Sequence, residues 1–117
     1  MQEHTKIYLE HAKKEHGLEP WEITCEITGA PGTDVCHIQA RGMGGNPTKD
    51  LNTIENLMCL TRALHHETEG VLKEELEEMH GSWIRTGQPL IVVDPDWLFS
   101  SGLKPILDKL KIYRPIL

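Results

Sequence analysis

The feature that most constrains the fold is a loop near the middle of the chain. The stretch RGMGGNPTKDLN, residues 41–52, carries four turn-forming residues in a short span: Gly42, Gly44, Gly45 and Pro47. Glycine and proline interrupt both helices and strands. Regular structure is therefore expected on either side of this stretch and not through it.

Two segments before the loop have the pattern of β-strands. WEITCEITGAPG, residues 21–32, alternates in polarity, contains β-branched residues and ends in a Gly/Pro turn. TDVCHIQA, residues 33–40, has the pattern of the antiparallel return strand. The sequence therefore predicts a hairpin with GAPG near its tip. Upstream, residues 3–16 are rich in helix formers, and Gly17 ends the predicted helix.

After the loop, a short apolar stretch, TIENLMCL, leads into a predicted helix. Thr61 is a suitable N-cap for a helix that begins near Arg62 and runs to about His80 or Trp83. An apolar stripe marks its inner face: Leu72, Leu76, Met79 and Trp83. Farther on, Leu90–Val93 is predicted to be a short buried strand, and a last helix is expected from about Gly102 to Tyr113. The middle of the chain therefore has the order strand, strand, loop, helix.

Length and composition indicate one small domain. The chain has 117 residues, 38% hydrophobic and 26% charged, which is ordinary for a globular protein. No run is long enough to cross a membrane, and the polar N-terminus is unlike a secretory signal. The three cysteines are an odd number at irregular spacing, which does not suggest a disulfide framework. We expect a single α+β domain over residues 1–117, with no membrane partner, in a reducing cytoplasm.

The charge of the chain is unevenly distributed. The net charge of −6 argues against a non-specific nucleic-acid binder. Six glutamates, however, lie between Ala63 and His80, whereas residues 37–62 are slightly basic. The acidic charge is therefore expected on one later helix, mostly as a solvated face.

Three polar residues around the loop have the right chemistry for a site. His37 ends the second predicted strand, Asn56 lies in the loop region, and His65 lies in the first turns of the helix. Histidine suits both general-base catalysis near neutral pH and metal ligation, and asparagine can hydrogen-bond across a loop. Four other histidines lie in polar surroundings and are expected at the surface: His4, His11, His16 and His80.

On these residues the sequence resembles the HNH endonuclease family, the ββα-metal nucleases. The matching stretches are CEIT (Cys25–Thr28), DVCHIQARGMGG (Asp34–Gly45) and IENLMCLTRALHH (Ile54–His66). Small stand-alone members of phages and prophages are similar. The resemblance covers about residues 21–70 and implies a ββα core of hairpin and helix, which we place over about residues 21–83. Extra N- and C-terminal helices, with an extension over about 87–117, lie outside it. The resemblance also implies metal-dependent hydrolysis of DNA phosphodiesters.

The resemblance implies roles for individual residues. His37 would be the general base that activates water, Asn56 would hold the loop and orient the base, and His65 would bind one divalent ion. Cys36 stands where the family has its second metal ligand, normally Asp or His. Further candidates for metal ligands, or for residues that contact the ligands, are Asp34, His66 and Glu69. Candidate phosphate contacts are Arg41 and Arg62.

Cys36 leaves the metal open among Mg²⁺, Mn²⁺, Ni²⁺ and Zn²⁺. Thiolate suits Zn²⁺ but not Mg²⁺. Cys36 could bind a softer metal together with His65, or Asp34 could replace Cys36 as the ligand. The site could also have lost its metal. It is equally possible that Cys36 is a buried thiol of the core and not a ligand.

Many family members also carry a structural zinc on four cysteines. The corresponding positions here are Cys25, Thr28, Thr61 and Leu64, so we expect no such zinc. The flanking helices and Trp21, Trp83 and Trp97 would supply that part of the core instead.

Two other functions stay open from the sequence. One is a catalytically inactive ββα module that binds DNA or protein and has lost its metal. The other is a zinc-binding structural protein that uses Cys36, His37 and His65. For the nuclease, the resemblance implies that the partner is DNA. A homodimer or a recombination protein as a further partner stays open. The resemblance also implies a protein of the bacterial cytoplasm, encoded by the host or by a phage.

Overall fold

The fold is α+β, as the sequence predicts. The computed structural model describes residues 2–31, 33–39 and 51–115. Within those ranges the helices are α1 (Glu3–His16), α2 (Arg62–Thr68), α3 (Lys73–Thr86), α4 (Leu90–Val93), α5 (Pro95–Ser100) and α6 (Lys104–Lys109). The strands are β1 (Thr33–His37) and β2 (Leu57–Thr61), and 3-10 turns lie at Pro20–Glu22 and Ile54–Asn56.

The strand at residues 33–37 pairs with a different segment from the one that the sequence predicts. β1 pairs antiparallel with β2, from Thr33 opposite Thr61 to His37 opposite Leu57. The strand predicted ahead of the GAPG turn, over residues 21–28, is wrong. Those residues form the end of the first 3-10 turn and then a turn at residues 26–28, where the Gly29 N–H donates to the Cys25 carbonyl at 2.8 Å. A chain that closes this hydrogen bond cannot be extended there.

The sequence of β2 lacks alternation because both of its faces are buried. Met58 and Leu60 belong to a core shared with α3, α5 and α6. Leu57 and Cys59 belong to a second core with Tyr8 and Trp83. A strand covered on both faces has a continuous apolar run, which is easily mistaken for part of another element.

The helix after β2 is two helices. Thr61 caps α2 as predicted, and its side chain accepts a hydrogen bond from the Leu64 N–H at 3.3 Å. The predicted run to His80 or Trp83 is wrong, because the chain turns between α2 and α3. Gly70 (φ +76°) and Leu72 (φ +57°) are both left-handed there. The apolar stripe is on the inner face of α3, with Leu76, Met79 and Trp83 buried.

The C-terminal part packs as short helices. The predicted strand Leu90–Val93 is wrong: it is the one-turn helix α4, and its backbone N–H groups at Leu90 and Ile91 donate to the carbonyls of Glu26 and Ile27. The last helix is shorter than predicted, and Pro105 lies in its first turn.

The three tryptophans divide between core and surface. Trp83 is buried and Trp97 packs against the larger core, but Trp21 is 80% exposed and does not contribute. No helix in the described ranges is long and apolar enough to cross a membrane.

Candidate functional site

Asn56 holds the two ends of the glycine-rich loop together. Its side-chain oxygen accepts from the Gln39 N–H at 2.8 Å, and its amide nitrogen donates to the carbonyls of Gln39 (3.2 Å) and Leu51 (3.0 Å). The Ile38 N–H also donates to the Asn56 carbonyl at 2.8 Å. A single side chain at the start of β2 therefore fixes the chain where it leaves β1 and where it returns.

His37 ends β1, and its imidazole is oriented by Asn52. The Nε2 atom lies 2.7 Å from Asn52 Oδ1, while Asn52 Nδ2 donates to Glu3 Oε2 at 3.5 Å. Because an amide oxygen only accepts, Nε2 of His37 carries a proton. In the neutral ring the lone pair then lies on Nδ1, which is the atom available to act as a base.

His37 and His65 line the same cavity, although they are far apart in sequence. The cavity has a volume of about 460 Å³ and lies between the end of β1, the first turn of α1 and the end of α2. Polar and ionisable side chains on its wall come from all three elements: Gln2, His4, Cys36, His37, His65, Thr68 and Glu69. The fold therefore collects several proton-transfer and metal-binding groups around one space of ligand size.

Asp34 contacts His65 on the side of its Nδ1 atom. Asp34 Oδ2 lies 3.9 Å from that nitrogen and 3.3 Å from Arg62 Nε, and Asp34 Oδ1 lies 3.4 Å from an Arg62 terminal nitrogen. The Arg62 side chain is otherwise 87% exposed. Arg62 is thus a partner of Asp34 and does not line the cavity.

Cys36 has the environment of a core thiol. The residue is only 6% exposed, and its sulfur donates to the Met58 carbonyl at 3.2 Å across the hairpin. Burial raises the pKa of the thiol to about 12, with nearby Cys59 and Glu26 adding to the effect. A thiolate is the form that binds metal, so this environment favours the core interpretation of Cys36 over the ligand interpretation.

The metal-binding groups fit a divalent ion only in part. In the portion of the chain that the structure describes, no three His, Cys, Asp or Glu residues converge as a metal-binding group. The closest carboxylate–imidazole pair at the expected position is Asp34 with His65. Such a pair, completed by water and a phosphate oxygen, has the donor atoms that Mg²⁺, Mn²⁺, Ni²⁺ and Zn²⁺ accept.

The remaining candidates differ in their surroundings. Glu69 follows the end of α2 and lines the cavity, whereas His66 is exposed and does not. Arg41 lies outside the described residues. Of the positions that correspond to the family's structural zinc, Cys25 and Leu64 are fully buried in one core, and Thr61 is the α2 cap.

A buried polar network lies behind the site and was missed by the sequence analysis. Glu26 accepts from the Tyr8 hydroxyl (2.6 Å), the Cys59 N–H (3.0 Å) and His80 Nδ1 (2.6 Å). The prediction that His80 is a surface residue is wrong, because it is 1% exposed. Its spacing could have revealed this, since it follows the buried Leu76 by one helical turn.

His80 connects this network to the loop. Its Nε2–H donates at 2.5 Å to the carbonyl of Ile54, the first residue of the 3-10 turn that ends at Asn56. Burial lowers the His80 pKa, but hydrogen bonding to Glu26 and the Glu26 charge outweigh it, so the pKa is raised. Burial raises the pKa of Glu26 as well, so the two side chains share a proton between Glu26 Oε1 and His80 Nδ1.

The N-terminal histidines also differ from the expected surface positions. His4, His11 and His16 are all half-buried. The His4 ring lies against His37, with centroids 4.9 Å apart, and the His16 ring packs on Trp83 at 5.0 Å. The same helical spacing could have identified His4, because it precedes the buried Tyr8 by one helical turn.

Comparison with known proteins gives no relative for this arrangement. No protein-family model, curated protein or solved structure matches the chain.

Proposed function

We propose that this chain is a metal-dependent HNH-type endonuclease that hydrolyses DNA phosphodiester bonds. The observation that carries the proposal is the cavity shared by His37 and His65, with His37 oriented by Asn52 through Nε2. The order β1, loop, β2, α2, with Asn56 joining the loop ends, supports it. The sequence resemblance over residues 21–70 supplies the reaction class.

His37 would act as the general base. Its Nδ1 atom takes a proton from water, the water oxygen attacks phosphorus, and the bond to the 3′ oxygen breaks. The products are a 5′-phosphate and a 3′-hydroxyl, with the 3′ oxygen protonated from solvent. Asn52 keeps the proton on Nε2, and Asn56 keeps the loop ends beside the base.

A divalent ion would be held by His65 together with Asp34. When bound, it would supply Lewis-acid stabilisation of the charge on the phosphate and the leaving oxygen. Cys36 is a weaker candidate, because its sulfur is buried and hydrogen-bonded to Met58. Among the described residues, Glu69 is a further carboxylate on the same cavity. The partner would be DNA, in the cytoplasm of a bacterial host, with the chain encoded by the host or a phage.

The proposal is tested by cleavage of supercoiled plasmid. Wild type and His37→Ala are each incubated with Mg²⁺, Mn²⁺, Ni²⁺ and Zn²⁺ in turn. Nicking by wild type in at least one metal, lost in the variant with its circular dichroism unchanged, is the expected result. Equal inactivity of both folded proteins in every metal would overturn it.

Two observations favour a second function, a catalytically inactive ββα module that binds DNA or protein. The residue at the family's second ligand position is a buried thiol, and the net charge is −6. In this case the plasmid would be bound or ignored but not cut, and His65→Ala would leave any binding unchanged.

A further inference from the structure

Helix α1 is fixed against the hairpin by its middle turns. Tyr8 is fully buried, donates to Glu26 and stacks on Trp83 with ring centroids 4.8 Å apart. Ala12, one turn later, is also fully buried. Because these contacts set the position of the whole helix, its first turn is held at the end of β1.

The first turn of α1 forms one wall of the cavity. Gln2 and His4 line it, and Glu3 accepts the hydrogen bond from Asn52 that orients the amide beside His37. The rings of His4 and His37 are 4.9 Å apart and tilted by 49°. Rings this close leave no room for a phosphate between them, so His4 flanks His37 and does not face it across the cavity.

Apart from the proposed divalent ion, the described residues of the cavity offer few groups that could balance the charge of a phosphate. Among its described lining residues there is no lysine or arginine, and Glu69 adds a carboxylate. Arg62 is occupied by Asp34. A protonated histidine beside the base is therefore the cationic side chain best placed to contact a phosphate that His37 attacks through water.

We propose that His4 is a further substrate-binding residue of this site, and that as an imidazolium it donates to a non-bridging oxygen of the scissile phosphate. This rests on the proposed function. Residues 1–20 lie outside the stretch that resembles the HNH family, so α1 would be this chain's own addition to the site. The phosphate gains negative charge as water attacks it, so the His4 contact is stronger in the transition state, and its loss predicts a lower kcat/KM.

Steady-state cleavage of a labelled DNA duplex tests this at pH 6, 7 and 8. Wild type is compared with His4→Gln, which removes the charge, and with His4→Lys, which restores a charge that does not titrate in this range. Lys6→Gln is the control, because Lys6 is an exposed cation of the same helix and does not line the cavity.

At pH 6 His4→Gln should lower kcat/KM by about tenfold, the loss expected for one hydrogen bond to a charged group. The ratio of wild-type to His4→Gln kcat/KM should fall from pH 6 to pH 8, because the two proteins differ only at residue 4. His4→Lys should keep its advantage over His4→Gln at all three pH values, and Lys6→Gln should keep the wild-type pH dependence. A His4→Gln variant with wild-type kcat/KM at pH 6, or a His4→Lys variant that behaves like His4→Gln, would overturn the proposal.

Binding without added metal separates this proposal from the proposed function. Anisotropy of the same duplex is measured for wild type and His4→Gln at pH 6. Weaker binding by the variant supports the His4 contact, even where wild type cuts nothing and the nuclease proposal fails. Equal binding by the two proteins, with wild type active, rejects the His4 contact and leaves the nuclease standing. Absence of both binding and cleavage rejects both.

Discussion

At the scale of single residues, the chemistry depends on which partner each polar group has. His37, Asn56 and His65 could be selected from sequence because their order around the loop is characteristic. Asn52, which orients His37, could not, because a loop asparagine has many alternative partners. The charged neighbours of His80 predict a surface position, but its buried partner Glu26 is distant in sequence.

Asn56 gives the first prediction at this scale. Asn56→Ala removes one acceptor and two donor contacts that join the loop ends. We expect it to lower the free energy of unfolding by about 1–3 kcal/mol and to reduce cleavage, because buried backbone partners lose their hydrogen bonds. Urea unfolding followed by circular dichroism measures the change. Asn56→Asp, which keeps the acceptor only, should lie between wild type and Asn56→Ala; an unchanged unfolding midpoint in Asn56→Ala contradicts the assigned role.

Cys36 gives a second prediction at this scale. Cys36→Ala should keep any bound divalent ion while lowering the free energy of unfolding by about 1 kcal/mol, as for a small buried side chain. His65→Ala is the matched variant and should lose the ion. Calorimetric titration with Mn²⁺ and Zn²⁺ distinguishes the two, and loss of binding in Cys36→Ala would establish the thiol as a ligand.

At the scale of elements, local chemistry predicted the ends of helices better than the pairing of strands. Gly17 ends α1 and Thr61 caps α2, both as predicted, because these two features depend only on neighbouring residues. The strand partner depends on long-range burial: β2 is covered on both faces, and its continuous apolar run does not specify which segment it pairs with. The same limit applies to Leu90–Val93, which docks on Glu26 and Ile27 as a single helical turn.

The break between α2 and α3 can be tested with two glycines. Gly70 has a φ of +76° and open space around it, so Gly70→Ala should destabilise the fold by about 1–2 kcal/mol through backbone strain alone. Gly81 lies within α3, and an added Cβ would meet only the Arg85 side chain at 3.5 Å. Gly81→Ala should stabilise by up to about 1 kcal/mol, since alanine favours helix. Thermal unfolding should give shifts of opposite sign, and shifts of the same sign would argue against the break.

At the scale of the whole molecule, one carboxylate connects the parts of the fold. The Glu26 side chain bonds Tyr8 on α1, the backbone of β2 and His80 on α3, and its carbonyl accepts from Leu90 on α4. His80 extends the connection to the turn that carries Asn56. This network could not be predicted from the sequence, because its members are widely separated along the chain and glutamate is rarely buried.

The network predicts a pH dependence of stability. The pKa of His80 is raised in the folded protein, so the folded state binds its proton more tightly than the unfolded state. The stability from His80 is complete below the unfolded pKa of about 6.5 and is lost as pH rises through the folded pKa, with a slope of up to about 1.4 kcal/mol per pH unit. Burial raises the pKa of Glu26 too, so its contribution falls in the same direction. Urea unfolding from pH 6 to 9 should show this decline in wild type and in His66→Gln, an exposed control, but not in the double variant Glu26→Gln/His80→Gln. A decline that persists in the double variant would assign it to another group.

The most direct test of the account is rescue of the base. Single-turnover cleavage of a labelled duplex is measured for wild type and His37→Ala, with and without added imidazole, in the most active metal. We expect His37→Ala to be slower by about 10²–10⁴-fold, the usual contribution of a general base, and imidazole to restore part of the rate. A variant that cuts as fast as wild type, or a folded wild type that cuts nothing, would contradict the central claim that His37 is the base of a phosphodiesterase site.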